Sequence, residues 1–399
     1  MSVLPAYPSF EHLRKQAKRR RRERGIPLHR AQHELAQEYG FTSWVRLVRH
    51  VQAGGLTGRE RALVLADPVA LAELLAAARA VATDPIAGLP PLLALLRRGL
   101  GSPAEVRECA ALLLAAGADA DSHTVESGGE WRQTALFDAV ERRDLTLVRL
   151  LLAHRAIPDE DAFYHACEQS DLGYLDALYE PGFERMVRHK LDFEDAAGLR
   201  WFLDHGVDVN AERCLHWAIG RGRGVEILRL LLDAGADVDL PTGAGDHPRP
   251  LAIAARCGHL AAYDLLRAHG ATAELDPVDG AVLAVARGRS TRLPDAPPPV
   301  LGVPNNGGYG WLLGQLALLG RTDVVRALLD AGMAVDTRGW SNFTPLDQAA
   351  MHGRAETVRL LVEHGADLSD CAFDEEGPTP LDCALWGCLL YTSDAADEL

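Results

Sequence analysis

Between Ser341 and Leu368 (SNFTPLDQAAMHGRAETVRLLVEHGADL) the apolar positions fall into two short helical patterns separated by a turn. Thr344 is a good N-cap, and Pro345 suits the first helical position, where a backbone N–H has no partner in any case. The spacing predicts a first helix through Ala349 and Ala350 that stops near His352-Gly353. From Ala355 to Glu363 a second helix places Val358, Leu361 and Val362 on one face, and Gly365 stands where a left-handed C-cap is favoured. A unit of about 33 residues built this way cannot bury its own apolar face and needs a neighbour on each side.

The same pattern recurs. Thr379-Pro380-Leu381-Asp382 begins another copy, Gln133-Thr134-Ala135-Leu136 an imperfect one, and Cys214-Leu215-His216 and Pro250-Leu251-Ala252 weaker ones. The second half returns at Leu112 to Asp119, Leu203 to Val209, Leu231 to Val238 and Ala327 to Met333. The shared pattern, T-P-L-x-x-A-A-x-x-G followed by V-x-L-L-x-x-G-A-D, resembles the ankyrin repeat. This resemblance implies an all-α solenoid of helix-turn-helix repeats with loop or β-turn tips, here about seven to nine of them.

Residues 1–58 read as a separate basic leader. Three short helices carry Phe10, Leu13 and Ala17, then Ala31, Leu35 and Ala36, then Trp44, Leu47, Val48 and Val51, and the linker Ala53 to Gly58 follows. The run from Leu13 to Val51 is similar to a leader that precedes ankyrin repeats in some bacterial proteins. Residues 59–87 read as an Ala/Leu-rich helical connector, broken at Asp67-Pro68 and Asp84-Pro85, and the array occupies 88–388. Its repeats are degenerate over 158–212, and the repeat from Trp131 to Ile157 closes on His154-Arg155-Ala156, without the usual glycine. The closing glycines Gly206, Gly235, Gly270, Gly332 and Gly365 lie 29, 35, 62 and 33 residues apart. The long interval requires a missed repeat or an insertion, and the Pro- and Gly-rich stretch at 287–310 offers an insertion. Residues 389–399 lack the V-x-L-L face, and LLYTSDAADEL is similar to adapter or vector read-through in place of a native terminus.

Charge divides the chain. Residues 1–60 hold 12 Lys and Arg against 5 Asp and Glu, or +7, so the remainder of the formal net charge of -15 leaves -22 on the other residues. Seven cysteines, Cys109, Cys167, Cys214, Cys257, Cys371, Cys383 and Cys388, sit mostly at helix positions where small apolar side chains pack, which suits reduced core thiols. No signal-peptide pattern opens the chain and no apolar run reaches the ~18 residues that cross a bilayer, so a cytoplasmic protein is expected.

Catalytic patterns are missing. There is no G-x-x-x-x-G-K-[ST], G-x-S-x-G, HExxH or CxxC, and Gly220 to Gly224 fits the turn between two helices of a repeat better than a phosphate cradle. His154, His205, His269 and His364 recur at the last turn before the closing position, where imidazole can meet unpaired helix carbonyls. His29 and His33 are four apart with no evident third ligand, so no metal and no cofactor is expected.

The ankyrin resemblance implies partner binding through loop tips and first helices. Carried over residue by residue, it selects Glu130, Trp131, Trp340, Ser341 and Phe343 at the tips, and Asp138, Trp217, Gln348, Met351 and His352 on the first-helix face. Exposed aromatic residues beside charge are the types that become interface hot spots. The expected function is therefore a non-catalytic, monomeric protein-binding scaffold whose acidic body favours a basic partner. The alternative is a nucleic-acid-associated regulator in which Arg19, Arg20, Arg21 and Arg22 contact phosphates and the array recruits a protein.

Overall fold

The computed structural model describes residues 9–41, 43–56, 58–125, 132–242, 248–289, 312–330, 332–338, 343–369 and 379–391, with backbone alone for 386–391. The chain divides into two compact units, Met1–Phe183 and Glu184–Leu399. Both are stacks of short helices, and the fold is all-α apart from one small hairpin.

The first unit opens with α1 (Phe10–Arg24), α2 (Leu28–Glu38) and α3 (Trp44–Gln52). Ser9 and Ser43 cap α1 and α3 by accepting the N–H groups of His12 and Arg46, and Gly25 ends α1 in the left-handed region. Leu13, Ala36, Leu47 and Val51 form the buried centre of this three-helix group, with Tyr39, Phe41 and Trp44 packed around it.

Four helix pairs follow. They are α4 (Gly58–Leu65) with α5 (Pro68–Ala77), α6 (Pro91–Arg98) with α7 (Pro103–Ala115), α8 (Ala135–Glu141) with α9 (Leu145–Ala153), and α10 (Glu160–Ala166) with α11 (Gly173–Leu178). First helices pack on first helices, α4 on α6 on α8 on α10, and second helices likewise, α5 on α7 on α9 on α11. Within residues 59–87, expected as a helical connector, α4 and α5 stack on α6 and α7. Strands β1 (His123–Val125) and β2 (Arg132–Thr134) pair antiparallel ahead of α8, with Thr124 opposite Gln133.

In the second unit α12 (Val187–Lys190) and α13 (Ala196–Asp204) lead into α14 (Cys214–Gly220) with α15 (Val225–Asp233) and α16 (Pro250–Arg256) with α17 (Leu260–Ala268). The 62-residue glycine interval contains a helix without the Thr-Pro-Leu opening, α18 (Pro277–Ala286), which packs on α16 and on α20. Asp276 caps it and Pro277 takes the first position, the roles of Thr344 and Pro345 in different residues. The proline-rich stretch at 290–311 lies outside the described residues. Then come α19 (Leu312–Leu318) with α20 (Thr322–Asp330), α21 (Pro345–Met351) with α22 (Ala355–Glu363), and α23 (Pro380–Tyr391). Val282, Leu313, Leu316, Val325, Leu328, Leu346 and Leu361 belong to one buried cluster here. At about 1.5–3 kcal/mol per fully buried aliphatic side chain, such shared clusters hold the short helices in place, since helices this short are not stable alone.

Repeated polar devices join one repeat to the next. In each case a side chain at the turn between two helices donates to a carbonyl of an earlier turn: Arg142 to Leu96 at 2.7 Å, Arg223 to Asp192 at 3.2 Å, Arg354 to Leu318 at 2.9 Å, and Arg321 to Gly258. His259 Nε2 does the same toward Arg223, at 2.9 Å. At the loop tips, Asp237 N–H donates to Asn210 Oδ1 at 2.8 Å, and Thr272 N–H and Oγ1 reach Asp239 at 3.0 and 2.6 Å. The recurring histidines close second helices as expected: Nδ1 of His205, His269 and His364 donates to the carbonyl four residues back, at 2.7, 2.8 and 2.9 Å.

Candidate partner-binding surface

Helix α21 is fixed at both ends. Thr344 Oγ1 accepts the Asp347 N–H at 3.2 Å, and Asp347 Oδ2 accepts the Thr344 N–H at 2.9 Å, so two backbone donors of the first turn are satisfied reciprocally. At the other end His352 Nδ1 donates to the Gln348 carbonyl at 2.9 Å. Pro345, Leu346, Asp347 and Ala349 are buried, which leaves Gln348, Met351 and His352 half-buried at the i, i+3, i+4 spacing of one helix face. Phe343, also half-buried, immediately precedes the cap. Burial holds the His352 imidazole below its ordinary pKa, and the nearby charges of Arg354, Arg221 and Arg223 push the same way.

Trp217 on α14 is half-buried within a polar stack. Its indole N–H donates to Asp192 Oδ1 at 2.9 Å, while the guanidinium carbons of Arg221 and Arg188 lie 4.8 and 5.5 Å from the ring centroid. Asp192 also accepts from Arg221 at 2.7 Å. The indole is therefore held within its own unit, half-buried between Arg188, Arg221 and Asp192.

Asp138 departs from expectation. It is 8% exposed and turned inward, with Oδ2 accepting from Arg97 Nε at 2.8 Å. Arg97 is itself satisfied further by Thr124 Oγ1 at 2.9 Å and the Gln133 carbonyl at 3.1 Å. The cause is register: after Thr134 the third helical position is Phe137, so the carboxylate stands one residue too late to close a capping box and is drawn to Arg97 instead. Burial pushes the Asp138 carboxyl up to about 6 against the pull of Arg97. Asp138 is a packing residue of the stack, and the first-helix face loses it as a contact. Arg256 and Asp279 repeat the arrangement between α16 and α18, with Nε 2.8 Å from Oδ1. Glu130, Trp131, Trp340 and Ser341 lie outside the described residues.

The structure also divides the arginine run of α1. Arg20 turns toward α2 and pairs with Glu38, and Arg24 pairs with Glu34 at 3.0 Å. Arg19, Arg21 and Arg22 are exposed, with Arg19 3.8 Å from Glu23. A group that the sequence did not suggest brings His165 Nδ1 within 3.2 Å of Glu168 and 3.5 Å of Glu141, carboxylates that raise the imidazole pKa, Glu168 foremost. Its three donor atoms lie within 4.8 Å of one another, so among the described residues this is the group that could share a cation. Nothing in the spacing 141, 165, 168 signals it, because α8 and α10 meet only through stacking. His29 and His33 are both exposed and have no third ligand among the described residues. Cys109, Cys167, Cys214, Cys257 and Cys383 are buried free thiols, and burial pushes Cys109, Cys214, Cys257 and Cys383 up to about 12. Gly222, at φ +70°, sits in the turn between α14 and α15, in keeping with the turn reading of Gly220 to Gly224. Among the described residues no helix is long and apolar enough to cross a membrane.

Residues 313–391 match the family model for ankyrin repeats in three copies, and residues 212–243 match the single ankyrin repeat. An ankyrin repeat-containing protein of Schizosaccharomyces pombe is 36% identical over 62 residues, covering 16% of this chain and 29% of that protein. A palmitoyltransferase of Lachancea kluyveri is 27% identical over 215 residues, covering 51% of this chain and 26% of the enzyme. The chain thus aligns with between a quarter and a third of the length of these curated relatives.

Proposed function

Since the chain is an ankyrin-repeat protein, with a module of the kind that mediates protein–protein interaction, we propose that it is a non-catalytic scaffold holding a second protein against its first helices and loop tips. The observation that carries this reading is α21. Its Thr344–Asp347 box and His352 cap satisfy the helix ends internally, so the side chains of Gln348 and Met351 stand on a rigid support, with the capping His352 beside them. Rigid presentation of a medium-sized apolar side chain between polar ones lowers the ordering cost of binding. Phe343 adjoins this face, and Trp340, Ser341, Trp131 and Glu130 complete the proposed contact set. The partner is a protein with a basic surface, matched to the negative charge that residues 61–399 carry, and the scaffold works as a cytoplasmic monomer.

The relative that is a palmitoyltransferase raises the question of acyl transfer. A thioester acyl transfer would use a thiolate, and the described cysteines are buried, with four of them held near a pKa of about 12. This favours binding over catalysis.

The test pairs recognition with folding. Trp131→Ala with Trp340→Ala, and separately Gln348→Ala with Met351→Ala, are expected to abolish capture of a partner from the native host while leaving thermal melting unchanged. Retention of the partner by both pairs, or loss of partner only together with loss of fold, would sink the reading.

A further inference from the structure

The arginine run of α1 is not one patch. Leu13 and Ala17 face the three-helix core, and Arg20 and Arg24 lie on the same side, paired with Glu38 and Glu34 of α2. Those two cations orient the helix; they are not available to a ligand. Lys15 and Arg19 stand on another side with Glu11 at 2.8 Å and Glu23 at 3.8 Å as neighbours. What remains is Arg14, Lys18, Arg21 and Arg22, spaced i, i+4, i+7, i+8, which puts them in one stripe on the solvent side. All four are exposed, and among the described residues none of them is in an ion pair.

We propose that this stripe docks α1 on the phosphate backbone of duplex nucleic acid, independently of the protein-binding surface. Three observations select this occupant. The stripe extends over about 12 Å of helix, at 1.5 Å per residue, and a helix about 10–12 Å across matches a major groove about 12 Å wide with a phosphate row on each side. Three of the four cations are arginines, whose planar forks suit bidentate phosphate contacts. Phe10, one turn ahead of Arg14 and 39% exposed, is the one large apolar side chain beside the stripe, and a single part-exposed ring does not make the apolar face that inserts a helix into a bilayer. Nor is a base-reading pattern present, which makes the contact sequence-independent. The acidic remainder of the chain does not forbid it, because charges more than about 8 Å away are largely screened at physiological salt.

Four phosphate contacts predict a slope of about -3.6 for log K against log salt, or a loss of roughly 150-fold in affinity between about 50 and about 200 mM salt. The experiment uses the full chain and a labelled random-sequence duplex, read by fluorescence anisotropy across that range. The variant Arg14→Gln/Lys18→Gln/Arg21→Gln/Arg22→Gln is expected to lose binding, while Lys15→Gln/Arg19→Gln keeps the slope within one contact of the parent. Circular dichroism checks that both remain helical. Vesicles of neutral lipid with and without phosphatidylserine form the second arm. Absence of duplex binding, equal losses in the two variants, or binding to the anionic vesicles without binding to duplex each overturns the proposal.

Discussion

Residues 132–156 and 343–366 build the same two-helix unit, α8–α9 in one case and α21–α22 in the other, yet they treat each joint differently. Both open on a capping threonine, Thr134 or Thr344. In the later unit Asp347 stands at the third helical position and closes the box with Thr344; in the earlier one Phe137 stands there, and Asp138 turns to Arg97. Between the helices Gly353 takes φ +65° where Arg143 takes +54°, and at the close Gly365 takes +86° where Arg155 takes +72°. The comparison teaches that the repeat fixes backbone geometry more strictly than residue type. When the sequence drifts, the left-handed corner stays and an arginine is forced into it, and a displaced carboxylate finds a cation from the neighbouring repeat.

The largest test of this comparison removes the cation. Arg97→Ala leaves Asp138 buried and unpaired, which is expected to cost about 3–5 kcal/mol in denaturant unfolding at neutral pH. If Arg97→Ala costs no more than a surface substitution, the pair is not what holds α8 to α6.

Next is pH. Asp138 has a folded pKa of about 6, raised above the ordinary value of 3.8, so its protonated form is the one folding favours. Its contribution is fully present below about pH 4 and is lost as pH rises through about 6, amounting to about 3 kcal/mol by linkage. Unfolding curves collected across that window should flatten in Asp138→Asn relative to the parent.

Smaller effects come from the caps and corners. Thr344→Ala should cost about 1–2 kcal/mol, the upper part of the range for N-caps, because it removes the buried hydroxyl that accepts the Asp347 N–H while the Thr344 N–H to Asp347 bond is kept. Arg155→Gly is expected to stabilise by about 0.5–1 kcal/mol, since glycine accepts a left-handed corner without the Cβ clash, although it gains entropy in the unfolded chain. Gly365→Ala should shift stability in the opposite direction by about 1–2 kcal/mol. Opposite signs at Arg155 and Gly365, measured by thermal melting, would confirm that one corner is shared by both units.

Much of the architecture was legible in local sequence because the repeat is defined locally. The Thr344-Pro345 start, the closing glycines and the C-capping histidines are all decided by atoms within four residues of each other. Three things were not. The α18 helix is announced by Asp276-Pro277 without the usual Thr-Pro-Leu, so it disappeared into the 62-residue interval. The α4–α5 pair lacks the closing Gly-Ala-Asp and declares itself only by stacking on α6–α7. Asp138 carries the residue type of a surface contact, and the arginine that draws it inward is 41 positions away. Of the proposed contact residues, the face of Gln348, Met351 and His352 follows from helical spacing, whereas the pinning of Trp217 between Arg188 and Arg221 depends on tertiary approach.

Five of the side chains that link successive turns point one way in time. Arg142, Arg223, His259, Arg321 and Arg354 are donors, and Leu96, Asp192, Arg223, Gly258 and Leu318 supply the carbonyls, each made before its donor. A nascent chain leaving the ribosome therefore exposes acceptors first, which water can satisfy at little cost while synthesis continues. The arriving donor meets a turn already in place. At these five joints, assembly in the order of translation requires no donor to wait inside the stack for a repeat not yet made, whereas Arg97 and Arg256 run the other way and wait for Asp138 and Asp279.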